Sequence, residues 1–243
     1  MPETAPDAEK FLAHCEVSPE IFELQPDYRA QVVVIEGLNS ISSNAFSDDL
    51  IRRAERRAIE LLKETPVEDL PHIASWRAAY RAFGAKPQRT RNSLEALTRR
   101  AENGLPRINM VADIYNAISV LHQVPAGGED LDLYSGSASL TRASGNEMFE
   151  TMVEGKPATE NPKCGEVIWR DEAGATCRRW NWRQGRRTAL SEETHRAVFI
   201  FDALEPMSDA ELDIAKGALI DAFKQTSSGV RAFSRRIDQG TSF

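Results

Sequence analysis

The sequence predicts one domain of α+β or mixed α/β type, on three observations. An apolar, β-branched run at Gln31–Gly37 reads as a buried strand closed by glycine. Helical spacing of apolar residues then dominates as far as Pro125. From Gly127 onward the pattern becomes strand-like, in short segments separated by Gly and Ser. No internal repeat or composition shift marks a linker within residues 1–243.

The elements follow in order. Residues 1–10 are polar and Pro-containing and are expected to fray. Ser47 is the expected N-cap of a helix to about Lys63, with Leu50, Ala54, Ala58, Leu61 and Leu62 on one face. A second helix spans about His72 to Phe83, with Trp76, Ala79 and Tyr80 at helical spacing and Gly84 as its stop. Ser93 begins a third, which Gly104 and Pro106 end. Ile108, Val111, Tyr115 and Ile118 mark a fourth. Strands are expected at Asp130–Tyr134 and Ala138–Arg142. Gly165–Arg170 and Thr176–Trp180 flank Asp171-Glu172-Ala173-Gly174 as a hairpin with a four- to five-residue turn. Ala197–Phe201 is a further strand, and Ser208 caps a helix through about Lys224, before a loose tail to residue 243.

The net charge of −7 at first argues against nucleic acid, but the charge is unevenly spread. Residues 71–110 hold 8 Lys and Arg against 2 Asp and Glu, and TCRRWNWRQGRR (176–187) holds 5 arginines and no acid. These segments either form a local phosphate-binding face or are solvated helix and hairpin surfaces. The apolar runs are too short to cross a bilayer, so no membrane partner is expected. MPETAPDAEK has neither the basic start nor the apolar stretch of a signal peptide. Three cysteines without a CxxC pair suggest neither a disulfide framework nor a zinc knuckle, and a reducing cytoplasm is the expected location. GxSxG, HExxH and Walker motifs are absent, and no metal or cofactor is assigned.

Four blocks, in order, carry a resemblance: WRAAYRAFGAKPQRTRNSLEALTRR, LPRINMVADIYNAISVLHQVPAGGEDLD, GEVIWRDEAG and CRRWNWRQGRRTALSEET. Together they resemble the B3/B4 domain family, the tRNA-binding and editing module of the bacterial-type phenylalanyl-tRNA synthetase β-subunit, and within it the stand-alone members. The resemblance covers roughly Tyr28 to Leu204. It implies a central mixed β-sheet flanked by helices, and hydrolysis of a wrongly esterified amino acid from the acceptor end of tRNA. Since 243 residues leave no room for synthetase catalysis, action on aminoacylated tRNA in trans is the expectation. A tRNA- or aminoacyl-tRNA-binding module without turnover and a binder of a free amino acid or similar small molecule remain as alternatives.

The family's VDxTN stretch corresponds to Ala112-Asp113-Ile114-Tyr115-Asn116, so Asn116 is retained and Tyr115 replaces the Thr. Asn116 either orients water or the substrate carbonyl, or is a structural amide; Asn109, two helical turns earlier, is a second candidate. The family's Pro-x-His becomes Pro125-Ala126-Gly127, which removes a hydrogen-bonding partner and puts tyrosine specificity in doubt. Asp202 matches a strand-end carboxylate able to pair with the substrate ammonium, or else caps a turn. Asp130, in the acidic run after Gly127-Gly128, either contributes to the pocket or lies in a solvated turn. In an extended 178–184 segment, Arg179, Asn181 and Arg183 share one face and Trp180 and Trp182 the other. Asn181 is thereby a substrate-binding candidate, and Arg179, Arg183, Arg186 and Arg187 are tRNA-binding candidates. Glu166 is expected to answer one arginine across the hairpin. The cavity is expected where the Asn116 helix meets this hairpin.

Overall fold

The computed structural model describes residues 7–38 and 42–241. Helix α1 (Ala8–His14), capped by the Asp7 side chain, buries Phe11 and Leu12, so this part of the N-terminal segment is anchored where fraying is expected. The two-residue strand β1 (Glu16–Val17), helix α2 (Pro19–Leu24) and strand β2 (Arg29–Glu36) follow. From Ala30 to Glu36 every residue of β2 is buried, which explains its unbroken apolar run: both faces of its sheet are covered.

The N-cap of helix α3 (Ala45–Glu64) lies three residues before the expected one. Asn44 is the N-cap, and Ser47 sits at the third helical position, completing a capping box with it. Helix α4 (Pro71–Ala82) ends ahead of Gly84, whose φ of 85° lies in the left-handed region. Its buried His72 donates from Nδ1 to the Gln123 carbonyl at 2.7 Å and accepts at Nε2 from the Leu204 amide at 3.0 Å. Burial pulls this imidazole down to about 4, so it is held neutral and ties three elements together. Helices α5 (Ser93–Arg100) and α6 (Met110–His122) complete the first half.

The second half contains β3 (Ala126–Asp130), β4 (Ser139–Arg142), β5 (Phe149–Val153), β6 (Lys156–Glu160), β7 (Val167–Asp171), β8 (Gly174–Arg178), β9 (Arg183–Gln184) and β10 (Arg196–Ala203). Helix α7 (Asp209–Thr226), with Ser208 in a capping box, precedes β11 (Arg231–Ile237). Three expectations shift. The strand placed at Asp130–Tyr134 lies earlier, and Leu131–Leu133 form a 3₁₀ turn started by the Asp130 side chain. The β7–β8 turn is tighter, with Asp171 opposite Gly174 and the Asp171 carboxylate accepting from the Ala173 and Gly174 amides. The expected tail contains β11, which pairs along β2.

The α+β class holds, with the strands shared among more than one sheet. The order β11-β2-β10-β3 is wholly antiparallel; β1-β4-β7-β8-β9 has one parallel pair; β5 and β6 form a separate ribbon. One face of the four-stranded sheet packs Val33, Ile35, Phe199 and Phe201 against α3, α6 and α7. Its other face packs Val32, Val34, Val198 and Ile200 against Trp76, Trp169 and Trp180. No helix among the described residues is long and apolar enough to cross a membrane.

Candidate functional site

Strand register decides which polar groups meet. Ile200 lies opposite Gly127, Val198 opposite Glu129, and Asp202 opposite Ala30. Directly opposed residues share a face, so Gly127, Glu129 and Asp202 all point toward the tryptophan side of the sheet. There Asp202 is 3% exposed and accepts a 2.5 Å hydrogen bond from the Tyr28 hydroxyl. Burial pushes its carboxyl up to about 7, against the opposing pull of that donor. The Asn181 amide and the Trp169 indole also moderate the shift, although neither N–H completes a hydrogen bond. Burial raises Glu129 as well; its two oxygens are held by the Tyr134 and Thr188 hydroxyls.

The wall facing these carboxylates comes from the segment after β8. Arg179 and Trp180 have φ of 48° and 67°, two consecutive left-handed residues that reverse the chain within a hairpin pairing Arg178 with Arg183. This turn breaks the alternation expected of an extended segment. Trp180 turns inward with no exposed surface, in edge contact with Tyr28 and Trp76. Asn181 is buried behind it: its Oδ1 accepts from the Tyr80 hydroxyl at 2.9 Å, and its carbonyl accepts from the Ser93 amide. Trp182 stays half-buried, with the Arg179 and Arg183 guanidiniums 4.4 Å and 4.7 Å from its ring centroid.

Between the turn and the sheet lies a cavity of about 80 Å³, reached by Gly127, Glu129, Trp169, Asn181, Arg183 and Asp202. The Gln184 amide covers Gly127 and donates to the Gly128 carbonyl at 3.0 Å. A Cβ on Gly127 would sit 2.9 Å from that amide nitrogen, so the missing side chain is what makes room for Gln184.

The cavity therefore collects Gly127, Asn181, Arg183 and Asp202 from separate parts of the chain, and leaves out other candidates. Asn116 is buried in α6 and does not line the cavity, because α6 packs on the opposite face of the sheet. Tyr115 is on that face too, its ring against Phe199 and the Cα side of Gly128. Helix and hairpin approach each other at the edge strand β3, where Tyr115 lies beside Gly128 and Gln184 beside Gly127. Asn109 is the N-cap of α6, its side chain accepting from the Ala112 amide. Asp130 opposes Ala197, so it faces away from the cavity and accepts from the Thr194 hydroxyl at 2.6 Å.

The arginines divide as well. Arg178 makes a bidentate pair with Glu166 at 2.8 and 3.0 Å and reaches Glu160 at 2.5 Å. Arg179 is held by Glu166 and the Thr90 hydroxyl, and Arg187 by Asp171 at 2.6 Å and the Leu133 carbonyl. Their charges are thus largely committed within the fold. Arg183 and Arg186 are exposed, with no carboxylate partner among the described residues.

Sequence reasoning does not single out Glu129 from the acidic run after Gly127-Gly128, and misses Trp169 and Tyr28. Glu129 was legible as the residue two positions after Gly127, on the same face of a strand. Tyr28 carries no such signal, being brought to Asp202 only by the β2–β10 pairing.

A model of the B3/4 domain family matches residues 75–228. No curated protein matches the sequence. Among solved structures, an N-terminal fragment of the phenylalanyl-tRNA synthetase β-subunit from Pyrococcus horikoshii is similar at 10% identity and a TM-score of 0.44. The match covers 96% of this chain and spans 57% of that chain.

Proposed function

The chain belongs to the B3/4 domain family, and from that premise we propose that it binds the aminoacylated acceptor end of tRNA and hydrolyses the ester in trans. The observation that carries this reading is the buried Asp202 carboxyl, in a cavity that also holds a second carboxylate and an unpartnered amide donor. An aminoacyl ester brings an α-ammonium group and a carbonyl that becomes an oxyanion on attack. Glu129 is the counter-charge for the ammonium, and the free Asn181 Nδ2–H is a donor for the developing oxyanion. Asp202 accepts a proton from water as the water oxygen bonds to the carbonyl carbon. Collapse of the intermediate breaks the bond to the ribose oxygen, which takes up that proton. With its carboxyl near 7, Asp202 is suited to both transfers at neutral pH.

The test is incubation with a panel of correctly and incorrectly charged tRNAs, following release of the amino acid. Release from at least one of them, abolished in Asp202→Asn, is the expected result. Binding of charged tRNA with no release across the panel would leave a binding module in place of a hydrolase.

A further inference from the structure

The loop joining α4 to α5 runs past the Arg179-Trp180-Asn181 turn and is fastened to it twice. The Arg179 guanidinium bonds the Thr90 hydroxyl, and the Ser93 amide donates to the Asn181 carbonyl at 2.9 Å. A second groove, of about 420 Å³, opens along this loop, lined among others by Phe83, Lys86, Arg89, Lys163, Cys164 and Arg179. The groove and the cavity share the turn: Arg179 belongs to one and Asn181 to the other.

Its charge is one-sided. Lys86, Arg89 and Lys163 are exposed and make no ion pair among the described residues. Glu166 is the carboxylate in the lining, and both its oxygens are taken by Arg178 at 2.8 and 3.0 Å. Three uncommitted cations thus converge in a chain whose net charge is −7. The half-buried Phe83 ring adds an aromatic surface to the same wall. An open groove lined by uncommitted cations and an aromatic ring suits a strand of monoanionic phosphodiesters carrying planar bases.

We propose that this groove is the track for the phosphodiester backbone of a single RNA strand, delivering its 3′ end around the Arg179 turn to the cavity. The inference rests on the aminoacyl-ester reading of the cavity and adds Lys86, Arg89 and Lys163 as the contacts that hold the strand.

Cys164 supplies the reporter. It is the exposed thiol in the groove, whereas Cys15 and Cys177 are buried and burial raises both of their thiols. Iodoacetamide under native conditions therefore modifies Cys164 selectively. A short single-stranded RNA ending in CCA should slow that modification several-fold at low salt. In Lys86→Glu/Arg89→Glu the protection should vanish, RNA affinity should drop at least about tenfold, and the slope of log affinity against log salt should become shallower by about 1 to 2. Unchanged protection or affinity in this variant, with its melting temperature preserved, overturns the groove. Equal protection by a polyglutamate peptide overturns the choice of RNA as its occupant. Hydrolysis of an aminoacyl-adenosine, which is too short to use the groove, separates the two claims. Its retention alongside failed protection overturns the groove alone, and its absence in the wild-type protein overturns the reading of the cavity.

Discussion

The Tyr28 hydroxyl donates a 2.5 Å hydrogen bond to the carboxylate of Asp202, joining residues 174 positions apart. The bond is made possible by the antiparallel pairing of β2 with β10, which sets Asp202 opposite Ala30. It fixes one carboxylate oxygen and leaves the group inside a wall of tryptophans, where ionisation is disfavoured.

That placement gives Asp202 a stability signature. Its folded pKa of about 7 stands above the ordinary 3.8, so between these values the native state binds more protons than the unfolded chain. The penalty for the buried anion is absent below 3.8 and complete above 7. Asp202→Asn keeps an acceptor for Tyr28 and removes the charge. It should stabilise the protein at pH 8 by up to about 4 kcal/mol, with the gain shrinking towards pH 4. Urea melts at both pH values check this; an equal gain at each would rule out a raised carboxyl.

Turnover should follow the ionised fraction of the same group, rising with pH to a plateau above about 7. Asn181→Ala should lower kcat about 10- to 1000-fold through loss of the oxyanion donor. Asn116→Ala, altering an amide outside the cavity, should stay within about threefold of wild type. Single-turnover rates with a reactive charged tRNA measure all three, and the reverse order for the two asparagines would move the site to the α6 side.

Arg178 and Glu166, 7% and 5% exposed in their side chains, form a buried pair. Glu166→Gln leaves the guanidinium with the more exposed Glu160 and should cost about 3 kcal/mol, read by denaturant midpoint. Arg183→Ala, at an exposed position, should change stability by less than about 0.5 kcal/mol while weakening RNA binding in a salt-dependent way.

The two neighbouring glycines should respond differently. A Cβ on Gly128 would lie 2.8 Å from the Phe199 ring and 2.9 Å from that of Tyr115, both packed in the core. Gly128→Ala should therefore destabilise by about 1–3 kcal/mol. At Gly127 the obstacle is the flexible end of Gln184, so Gly127→Ala should fold normally and alter the cavity rim. Thermal melts of the two variants separate these outcomes.

Periodicity made most helices legible, together with the β2 run and the β7–β8 hairpin, because each is specified locally. The errors have physical causes. The cap of α3 shifted because Asn44 and Ser47 satisfy each other's backbone amides, a reciprocal arrangement that a single-residue rule does not see. Strand β11 looked like tail because as an edge strand it is half-exposed and weakly patterned. In the cavity, Gly127 and Asp202 were accessible through the family pattern, whereas Asn181 came from an alternation that the Arg179-Trp180 turn breaks. Asn109 and Asp130 were misplaced because capping and strand parity, which direct their side chains elsewhere, act over one or two residues. Glu129 was not singled out from its two neighbouring acids for the same reason.

Trp169 and Trp180 are almost fully buried beside Asp202, whereas Trp182 is half-buried beneath Arg179 and Arg183 at the rim. The protein thus carries an intrinsic optical gauge in two parts. Loading the cavity changes the polarity around the inner pair of indoles, while a polyanion drawing the guanidiniums away uncovers the outer one. Emission from single-tryptophan variants can then time arrival at the rim separately from seating at the floor.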